Sequence, residues 1–308
     1  MNIITIITKI NLILILFLFF TNNTNARIVN LEKIEFHKNN DIIYKETTNL
    51  LNQNVKLSLD LYHLEKDYLD KSTLIVLAHG GSFIEGNKND FEDYAEYLAN
   101  KGYTVASINY RLIPKELHNQ ISPQMLSVVL LNSMEDMNSA IEYLLSKENY
   151  EKVVVGGYSA GALTALHLSY LNSINDIMLM KQHPVLGSMH GADDYIQAVI
   201  LGPKSYKIDK VINIAGSLVD SRYIEDGEPG TVSIHGKEDK VVPYSSGDTG
   251  GYGVLTEGSE LIHQQLDKYN IDNLLISIPD EGHNVFESGE ESDDCENCRN
   301  YIDTFLIN

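Results

Sequence analysis

Short apolar runs alternate with amphipathic stretches along most of this chain. Apolar runs between turn residues predict strands, and they occur at 31–36, 55–64, 74–78, 104–108, 152–155, 210–214, 231–234 and 274–278. The first two interleave polar and apolar residues, as in an antiparallel entry hairpin. Apolar residues at helical spacing predict helices at 91–101, 123–147, 160–171, 259–269 and 298–306. Alternating strands and helices indicate an α/β fold: a mostly parallel sheet of about eight strands with five or six helices covering both faces.

One stretch, residues 172–207, interrupts this alternation with no clear period and with several glycines and prolines. It follows the third predicted helix and precedes a core strand, so it can fold over the carboxyl edge of the sheet. A long irregular insertion in a compact domain is often a lid or a binding loop. We therefore expect a lid or pocket wall here, with a plain connection as the alternative.

The first 26 residues have the composition of a secretory signal peptide. Lys9 is their only charged side chain, residues 12–20 are wholly apolar, and small residues precede a cleavage point after Ala26. The apolar run is about half the roughly 20 residues that span a bilayer. We expect removal of residues 1–26, a single domain at 27–308, and a secreted or periplasmic protein without stable membrane insertion; an uncleaved anchor is the alternative.

Composition and charge narrow the range of partners. The 308 residues are 43% hydrophobic, which suffices for a large core, and the formal net charge of −20 argues against nucleic acid as a partner. The two cysteines, Cys295 and Cys298, lack the further ligands of a structural zinc site. In an oxidising compartment they are predicted to form a local disulfide that staples the last helix.

The strongest chemical motif is Gly-Tyr-Ser-Ala-Gly at residues 157–161. A predicted strand precedes it and a predicted helix follows it, which is the context of a nucleophile elbow. Side chains beside the serine would collide in so tight a turn, so glycine stands at both flanks. Ser159 is the predicted nucleophile; a glycine-rich turn needed only for close packing is the alternative.

A serine hydroxyl needs a base to take its proton, and the base needs an acid to orient it. His283 follows the last predicted strand and is the expected base. Asp239 follows the preceding strand and is the expected acid, with Glu238 and Asp220 as alternatives. His235 is expected to end its strand in a structural role. A neutral His283 favours activity near neutral or mildly alkaline pH.

Donors for a developing oxyanion are expected in the sequence His-Gly-Gly-Ser-Phe at residues 79–83, directly after a strand. The candidate donors are the backbone N–H groups of Gly81, Ser82 and Ala160. Glycine lets the backbone approach a substrate oxygen without a Cβ in the way. His79 is expected to brace the loop by hydrogen bonds, and Gly80 to support it.

These residues resemble the α/β-hydrolase superfamily, near the carboxylesterases and hormone-sensitive-lipase-like esterases that carry a His-Gly-Gly loop. The resemblance runs from about residue 55 to the C-terminus and includes Asn-Tyr-Arg-Leu at 109–112, Glu-Asp-Met at 135–137 and His-Gly-Lys-Glu-Asp at 235–239. Tyr110 and Arg111 match the family's scaffold-bracing pair. Ser82 replaces a third glycine of the lipase-like branch, and Phe83 replaces a tryptophan usual in the feruloyl and acetyl-xylan esterase branch.

The resemblance implies a secreted serine carboxylesterase that needs no metal or organic cofactor and acts on a small-molecule, carbohydrate or polymer ester. A prolyl-oligopeptidase-type peptidase and a catalytically silent binding protein on the same scaffold are the alternatives. Candidates for an apolar pocket wall are Leu112, Ile113, Leu186, Met189 and Val285.

Overall fold

The computed structural model describes residues 36–64, 73–183, 193–290 and 295–307. All of them belong to one compact unit. The predicted signal peptide, residues 1–26, lies outside the described residues. None of the described helices is both long and apolar enough to cross a membrane.

An eight-stranded sheet carries the fold. The strands of the molecule are β1 (Phe36–Thr48), β2 (Asn54–Leu64), β3 (Thr73–Ala78), β4 (Thr104–Ile108), β5 (Lys152–Tyr158), β6 (Lys210–Ile214), β7 (Ser217–Leu218), β8 (Gly230–Gly236), β9 (Ser246–Asp248), β10 (Leu255–Gly258) and β11 (Asn273–Ile278). The main sheet has the order β1-β2-β4-β3-β5-β6-β8-β11. Strands β1, β2 and β4 pair antiparallel, and every pair from β4 to β11 is parallel. The carboxyl ends of the parallel strands therefore share one edge.

Helices cover both faces of this sheet. They are α1 (Glu92–Asn100), α2 (Pro123–Leu145), α3 (Ala160–Tyr170), α4 (Ile174–Gln182), α5 (Asp193–Leu201), α6 (Ser259–Lys268) and α7 (Cys298–Ile307). Successive side chains of a strand point to opposite faces. In β3, Leu74 and Val76 accordingly join the core under α2 and α3, whereas Ile75 and Leu77 join the core under α1 and α7. The predicted α/β fold is confirmed.

The sequence pattern did not predict a strand at 37–48. The strand predicted at 31–36 lies outside the described residues except for Phe36, with which β1 (Phe36–Thr48) begins. β1 is the edge strand and pairs only with β2, and edge strands commonly carry charged side chains that discourage pairing with another chain. Its mostly polar sequence therefore lacks the apolar run on which the prediction depended.

The insertion at 172–207 is helical, not irregular, over most of its described length. α4 begins with a capping box in which Ser173 and Asp176 satisfy each other's backbone N–H groups. α5 packs against α2, where the Tyr195 hydroxyl donates to Asn132 Oδ1 at 2.6 Å. Each helix has nine residues, too short for its periodicity to stand out in the sequence.

A second, three-stranded sheet has the order β7-β10-β9 and was not predicted. Its strands are two to four residues long, below the length at which alternation is recognisable. The hairpin formed by β9 and β10 stands beside the carboxyl edge of the main sheet, because β10 leads directly into α6. This hairpin forms one wall of the cavity beside Ser159.

The predicted disulfide is confirmed. Cys295 and Cys298 are bonded, with 5.3 Å between their Cα atoms. Cys298 is the first residue of α7 and is fully buried, so the bond ties the start of the last helix to the segment before it. Closing so short a loop contributes about 2 kcal/mol by chain entropy.

A buried ion pair joins the end of β4 to α2. Arg111 Nε contacts Asp136 Oδ2 at 2.8 Å, and Lys45 Nζ contacts Asp136 Oδ1 at 2.8 Å. The Asp136 carboxylate is fully buried, and it also accepts the backbone N–H of Arg111 at 3.0 Å. Arg111 and Tyr110 are structural, as the sequence predicted, because the Tyr110 hydroxyl donates to the carbonyl of His79 at 2.8 Å.

Replacing Arg111 by Met should lower the free energy of unfolding by about 3 kcal/mol, because it leaves the Asp136 carboxylate buried with only Lys45 as a cationic partner. Urea denaturation followed by circular dichroism measures this. Arg222→Met is the matched control, since Arg222 pairs with Asp220 at the surface and its loss should cost below about 1 kcal/mol. Equal losses in the two variants would contradict the assignment.

Candidate active site

Ser159 occupies a sharp turn between β5 and α3. β5 ends at Tyr158 and α3 begins at Ala160, and Ser159 between them has φ 52° and ψ −119°. Residues other than glycine rarely adopt a positive φ, and such strain persists only where the surroundings enforce it. Here the Ser159 N–H donates to the carbonyl of Ile214 on β6 at 2.9 Å. The turn therefore fixes the serine at the carboxyl edge of the sheet.

Glycine flanks the serine because β3 lies against the turn. A Cβ at residue 157 would stand 2.5 Å from the Ala78 carbonyl oxygen, and a Cβ at residue 161 would stand 1.9 Å from it. Both distances are far below van der Waals contact. A Cβ at residue 157 would also stand 2.5 Å from the backbone carbonyl carbon of Gly161. The collision inferred from sequence therefore occurs both within the turn and with the neighbouring strand.

The structure brings Ser159, His283 and Asp239 into one hydrogen-bonded line. His283 Nε2 is 2.9 Å from Ser159 Oγ, and His283 Nδ1 is 2.6 Å from Asp239 Oδ2. A carboxylate only accepts, so Nδ1 carries the proton and the unprotonated Nε2 faces the serine hydroxyl. His283 lies on the loop after β11, and Asp239 on the loop after β8.

Asp239 is held as a carboxylate. Burial by itself would raise its pKa, but hydrogen bonds from His235 and His283 outweigh burial and hold the pKa well below its usual range. Its other oxygen, Oδ1, accepts the N–H groups of Val241 and Val242 at 2.8 and 2.9 Å. The carboxylate is thus oriented by four donors before any substrate is present.

The two alternative acids lie elsewhere. The carboxylate of Asp220 binds Arg222, and Glu238 is exposed. His235 is the residue whose position the sequence argument did not foresee: its Nε2 lies 3.1 Å from Asp239 Oδ2. The spacing of four residues between His235 and Asp239, across the end of a strand, was the only available indication.

The loop at 79–83 has the conformation of a tight turn. Gly81, Ser82 and Phe83 all have positive φ values, of 97°, 53° and 63°. His79 Nδ1 binds the carbonyl of Gly80 at 2.7 Å, its ring stacks on Tyr110, and burial lowers its pKa. A Cβ on Gly80 would stand 2.7 Å from the Tyr158 ring. His79 thus braces the loop in its neutral form.

The three predicted amide donors do not all face the same space. Ser82 and Ala160 line a cavity together with Ser159, and their N–H groups donate to no other residue within the described ranges. Gly81 lies at a neighbouring cleft of about 440 Å³. The carboxylates at that cleft belong to Glu85, Asp90, Glu287 and Glu290.

The cavity beside Ser159 measures about 70 Å³ and is almost wholly apolar. Its apolar lining includes Phe83, Leu126, Leu130, Leu163, Val219 and Val254. The β9–β10 hairpin closes one side, through Thr249, Tyr252 and Thr256. No described residue of 172–207 lines it, and residues 184–192 of that stretch lie outside the described part of the chain. Among the described residues, this hairpin forms the pocket wall on that side.

The pocket-wall candidates chosen from sequence were wrong where the structure describes them. Leu112, Ile113 and Val285 do not line the cavity. Ile113 and Val285 are buried in the core instead. Leu186 and Met189 lie outside the described residues. Over the ranges that the structure covers, no group of three or more His, Cys, Asp or Glu side chains could hold a metal ion.

Part of this chain is similar in sequence to known proteins. Residues 59–183 match the family model BD-FAE. A kynurenine formamidase from Meyerozyma guilliermondii is 33% identical over 96 residues, 30% of this chain; the match spans about a third of that protein's length.

Solved esterase structures share the fold. Esterase 2 of Thermogutta terrifontis phosphorylated by paraoxon superposes with a TM-score of 0.60 at 18% identity, covering 88% of this chain and 93% of that one. Its butyrate-bound form gives 0.59 at 18%, covering 87% and 93%. Esterase B from Lactobacillus rhamnosis, inhibited by a tributyrin phosphonate, gives 0.57 at 15%, covering 88% and 85%. The chain therefore has the α/β-hydrolase fold, and residues 59–183 of it are similar to the BD-FAE family.

Proposed function

We propose that this protein is a serine carboxylesterase that acts through an acyl-enzyme. The observation that carries the proposal is the line of contacts from Ser159 Oγ through His283 to Asp239, at 2.9 and 2.6 Å. The hydroxyl at one end of this line opens onto an apolar cavity. These are the parts that acyl transfer needs: an activated nucleophile, an oriented base and room for an acyl group.

In the acylation step, Ser159 Oγ attacks the ester carbonyl carbon while its proton passes to His283 Nε2. The carbonyl oxygen becomes an oxyanion, for which the N–H groups of Ser82 and Ala160, which line the cavity with Ser159, are the proposed donors. Collapse of the tetrahedral adduct breaks the bond to the alcohol oxygen, and His283 returns the proton to that leaving group. The acyl group then remains on Ser159.

Water completes the cycle by the reverse route. It attacks the acyl carbon while giving a proton to His283, and the second adduct collapses to release the carboxylic acid and restore the Ser159 hydroxyl. In both halves the positive charge on His283 lies 2.6 Å from the Asp239 carboxylate. That carboxylate stabilises the imidazolium without taking its proton.

The cavity supports a short, unbranched aliphatic acyl group. Its lining is apolar, and its volume of about 70 Å³ is far below the roughly 300–1,000 Å³ of sites for drug-sized ligands. Of the similar solved structures, two show esterase 2 of Thermogutta terrifontis with butyrate and with propionate, and one shows esterase B of Lactobacillus rhamnosis with a tributyrin phosphonate. The alcohol part of the proposed substrate belongs to a small molecule, a carbohydrate or a polymer.

We also propose that the mature protein is exported after removal of residues 1–26. The sequence of this segment supports export, and so does the bond between Cys295 and Cys298. Disulfides persist mainly in oxidising compartments such as the periplasm and the extracellular space. N-terminal sequencing of protein purified from the native host would test the cleavage point.

Ser159→Ala should reduce kcat for p-nitrophenyl butyrate by about 10⁴-fold or more, because no other group replaces the nucleophile. A fluorophosphonate probe should label the parent and not this variant. Ser169→Ala is the matched control: Ser169 lies on the same helix, is buried, and binds only the Ala165 carbonyl through its hydroxyl. Undiminished turnover by Ser159→Ala would refute the proposed function.

Leu130→Ala should shift preference toward longer acyl chains, because it enlarges the cavity floor. The ratio of kcat/KM for octanoate to that for butyrate should rise about 10-fold or more, as expected when one or two methylenes gain space. p-Nitrophenyl esters of graded length measure this. Leu144→Ala, a buried residue of the same helix outside the cavity, should leave the ratio unchanged.

The same assays separate other hydrolytic activities. A formanilide tests the activity named for the curated relative, and a proline anilide tests a peptidase. Turnover of either amide faster than of every ester would replace the proposed ester specificity. Absent labelling of a folded protein by the fluorophosphonate would favour a catalytically silent binding protein.

Activity should fall on the acid side through one titration only. The lowered pKa of Asp239 keeps this group ionised well below pH 4, so its contribution to stability and to orientation is lost only at still lower pH. Asp239 therefore adds no second titration to the fall of activity between pH 4 and 7. We expect log kcat/KM to fall with a slope of one as pH decreases; a slope of two between pH 4 and 7 would contradict this.

A further inference from the structure

A second histidine contacts the acid of the triad. His235 is the penultimate residue of β8 and is fully buried. Its Nε2 lies 3.1 Å from Asp239 Oδ2 and 3.1 Å from the carbonyl oxygen of Val242. Both partners are acceptors only, so Nε2 carries a proton and donates to both. Asp239 Oδ2 thus receives two imidazole N–H groups, one from His283 and one from His235.

The partner of the other ring nitrogen sets the protonation state of His235. Nδ1 lies 2.8 Å from Ser259 Oγ, and Ser259 Oγ accepts from Asn213 Nδ2 at 3.0 Å. The amide of Asn213 is oriented because its Oδ1 accepts the N–H of Gly216 at 2.9 Å. Asn213 fills one acceptor site of the Ser259 oxygen and leaves its hydroxyl hydrogen available to Nδ1, and on this arrangement we assign His235 the Nε2–H tautomer.

The same network continues away from the active site. Asn213 Nδ2 also donates to Ser233 Oγ at 2.9 Å, and Ser233 donates to His263 Nε2 at 2.7 Å. His263 Nδ1 then donates to Asn273 Oδ1 at 2.7 Å. Asn213 is the branch point, with one arm toward Asp239 and one toward the surface. Ser259 on the first arm and Ser233 on the second are both fully buried, so their variants can be compared directly.

We propose that His235 is a positioning residue for catalysis: it holds the Asp239 carboxylate and shares the oxygen that His283 binds. This inference rests on the proposed function. By donating to Oδ2, His235 withdraws negative charge from the atom that stabilises protonated His283. Without His235, Asp239 would attract the proton of His283 more strongly and would lose one of the donors that fix its orientation.

The consequence for pH has a definite sign. Loss of the His235 donor should raise the pKa of His283, because a hydrogen-bond donor to the carboxylate competes with the imidazolium for the same charge. The other titratable groups near the two histidines are Tyr158, whose ring lies 5.2 Å from that of His283, Tyr244, whose ring lies 5.6 Å from that of His235, and Glu287, which acts on Tyr158. Among the described contacts, none of the three reaches the oxygen that the two histidines share.

His235→Leu removes the donor, and His235→Gln keeps an N–H₂ group near the position of Nε2. His235→Leu should lower kcat about 10- to 100-fold with KM unchanged, by analogy with the loss of a hydrogen-bond partner behind a metal ligand. The pH at which kcat/KM falls to half on the acid side, called the acid limb, should rise by about 0.5–1 unit. His235→Gln should recover most of kcat and the parental limb. A folded His235→Leu with parental kcat and limb, or equal losses in both variants, would overturn the proposal.

Two serine variants keep the test decisive if His235→Leu does not fold. Ser259→Ala removes the donor to Nδ1, whereas Ser233→Ala removes the corresponding hydroxyl on the other arm; both serines are fully buried. Thermal denaturation should show comparable losses of stability. Only Ser259→Ala should change kcat and the acid limb. Equal kinetic effects would overturn the role of His235.

A measurement without substrate separates this inference from the proposed function. An NMR titration of the His283 ring in the parent and in the His235 and Ser259 variants reads its pKa directly. If the parent hydrolyses no ester but the pKa of His283 is higher in His235→Leu than in the parent, the coupling stands and the esterase proposal is wrong. Normal hydrolysis with an unshifted His283 would remove the coupling alone.

Discussion

The contact between the serine turn and strand β3 is the constraint on which the site depends. The backbone at Gly157 and Gly161 approaches the Ala78 carbonyl so closely that no side chain fits at either position. Ser159 is held at a positive φ by this approach and by its N–H bond to Ile214. Because three neighbouring strands take part, the serine hydroxyl is placed by the sheet and not by a flexible loop.

Hydrogen bonds to the buried Asp239 carboxylate are the second constraint on the site. A carboxylate buried as deeply as Asp239 would ordinarily favour its protonated form. Two imidazoles and two backbone N–H groups offset that cost, and they leave the carboxylate in one orientation. The same donors that keep Asp239 charged therefore also aim it at His283. The same four hydrogen bonds keep Asp239 ionised and fix its orientation toward His283.

The cavity beside Ser159, in contrast, is assembled from elements far apart in sequence. Helix α2 supplies Leu126 and Leu130, the loop at 79–83 supplies Phe83, and the β9–β10 hairpin supplies Tyr252 and Val254. The lining also includes Val241 and Val242, whose backbone N–H groups bind Asp239. The cavity wall and the orientation of Asp239 are therefore linked through this segment.

The sequence alone determined the features that depend on local geometry: the strand and helix alternation, the tight turn at Ser159, and the placement of Asp239 and His283 after strands whose ends share an edge. Tertiary structure decided the rest. Edge strand β1 is mostly polar, and the helices α4 and α5 are too short, at nine residues each, for a visible period. The cavity wall exists only because distant segments pack together. The bond from His235 to Asp239 joins residues four apart, but it depends on how the chain turns after β8, which the spacing alone does not fix.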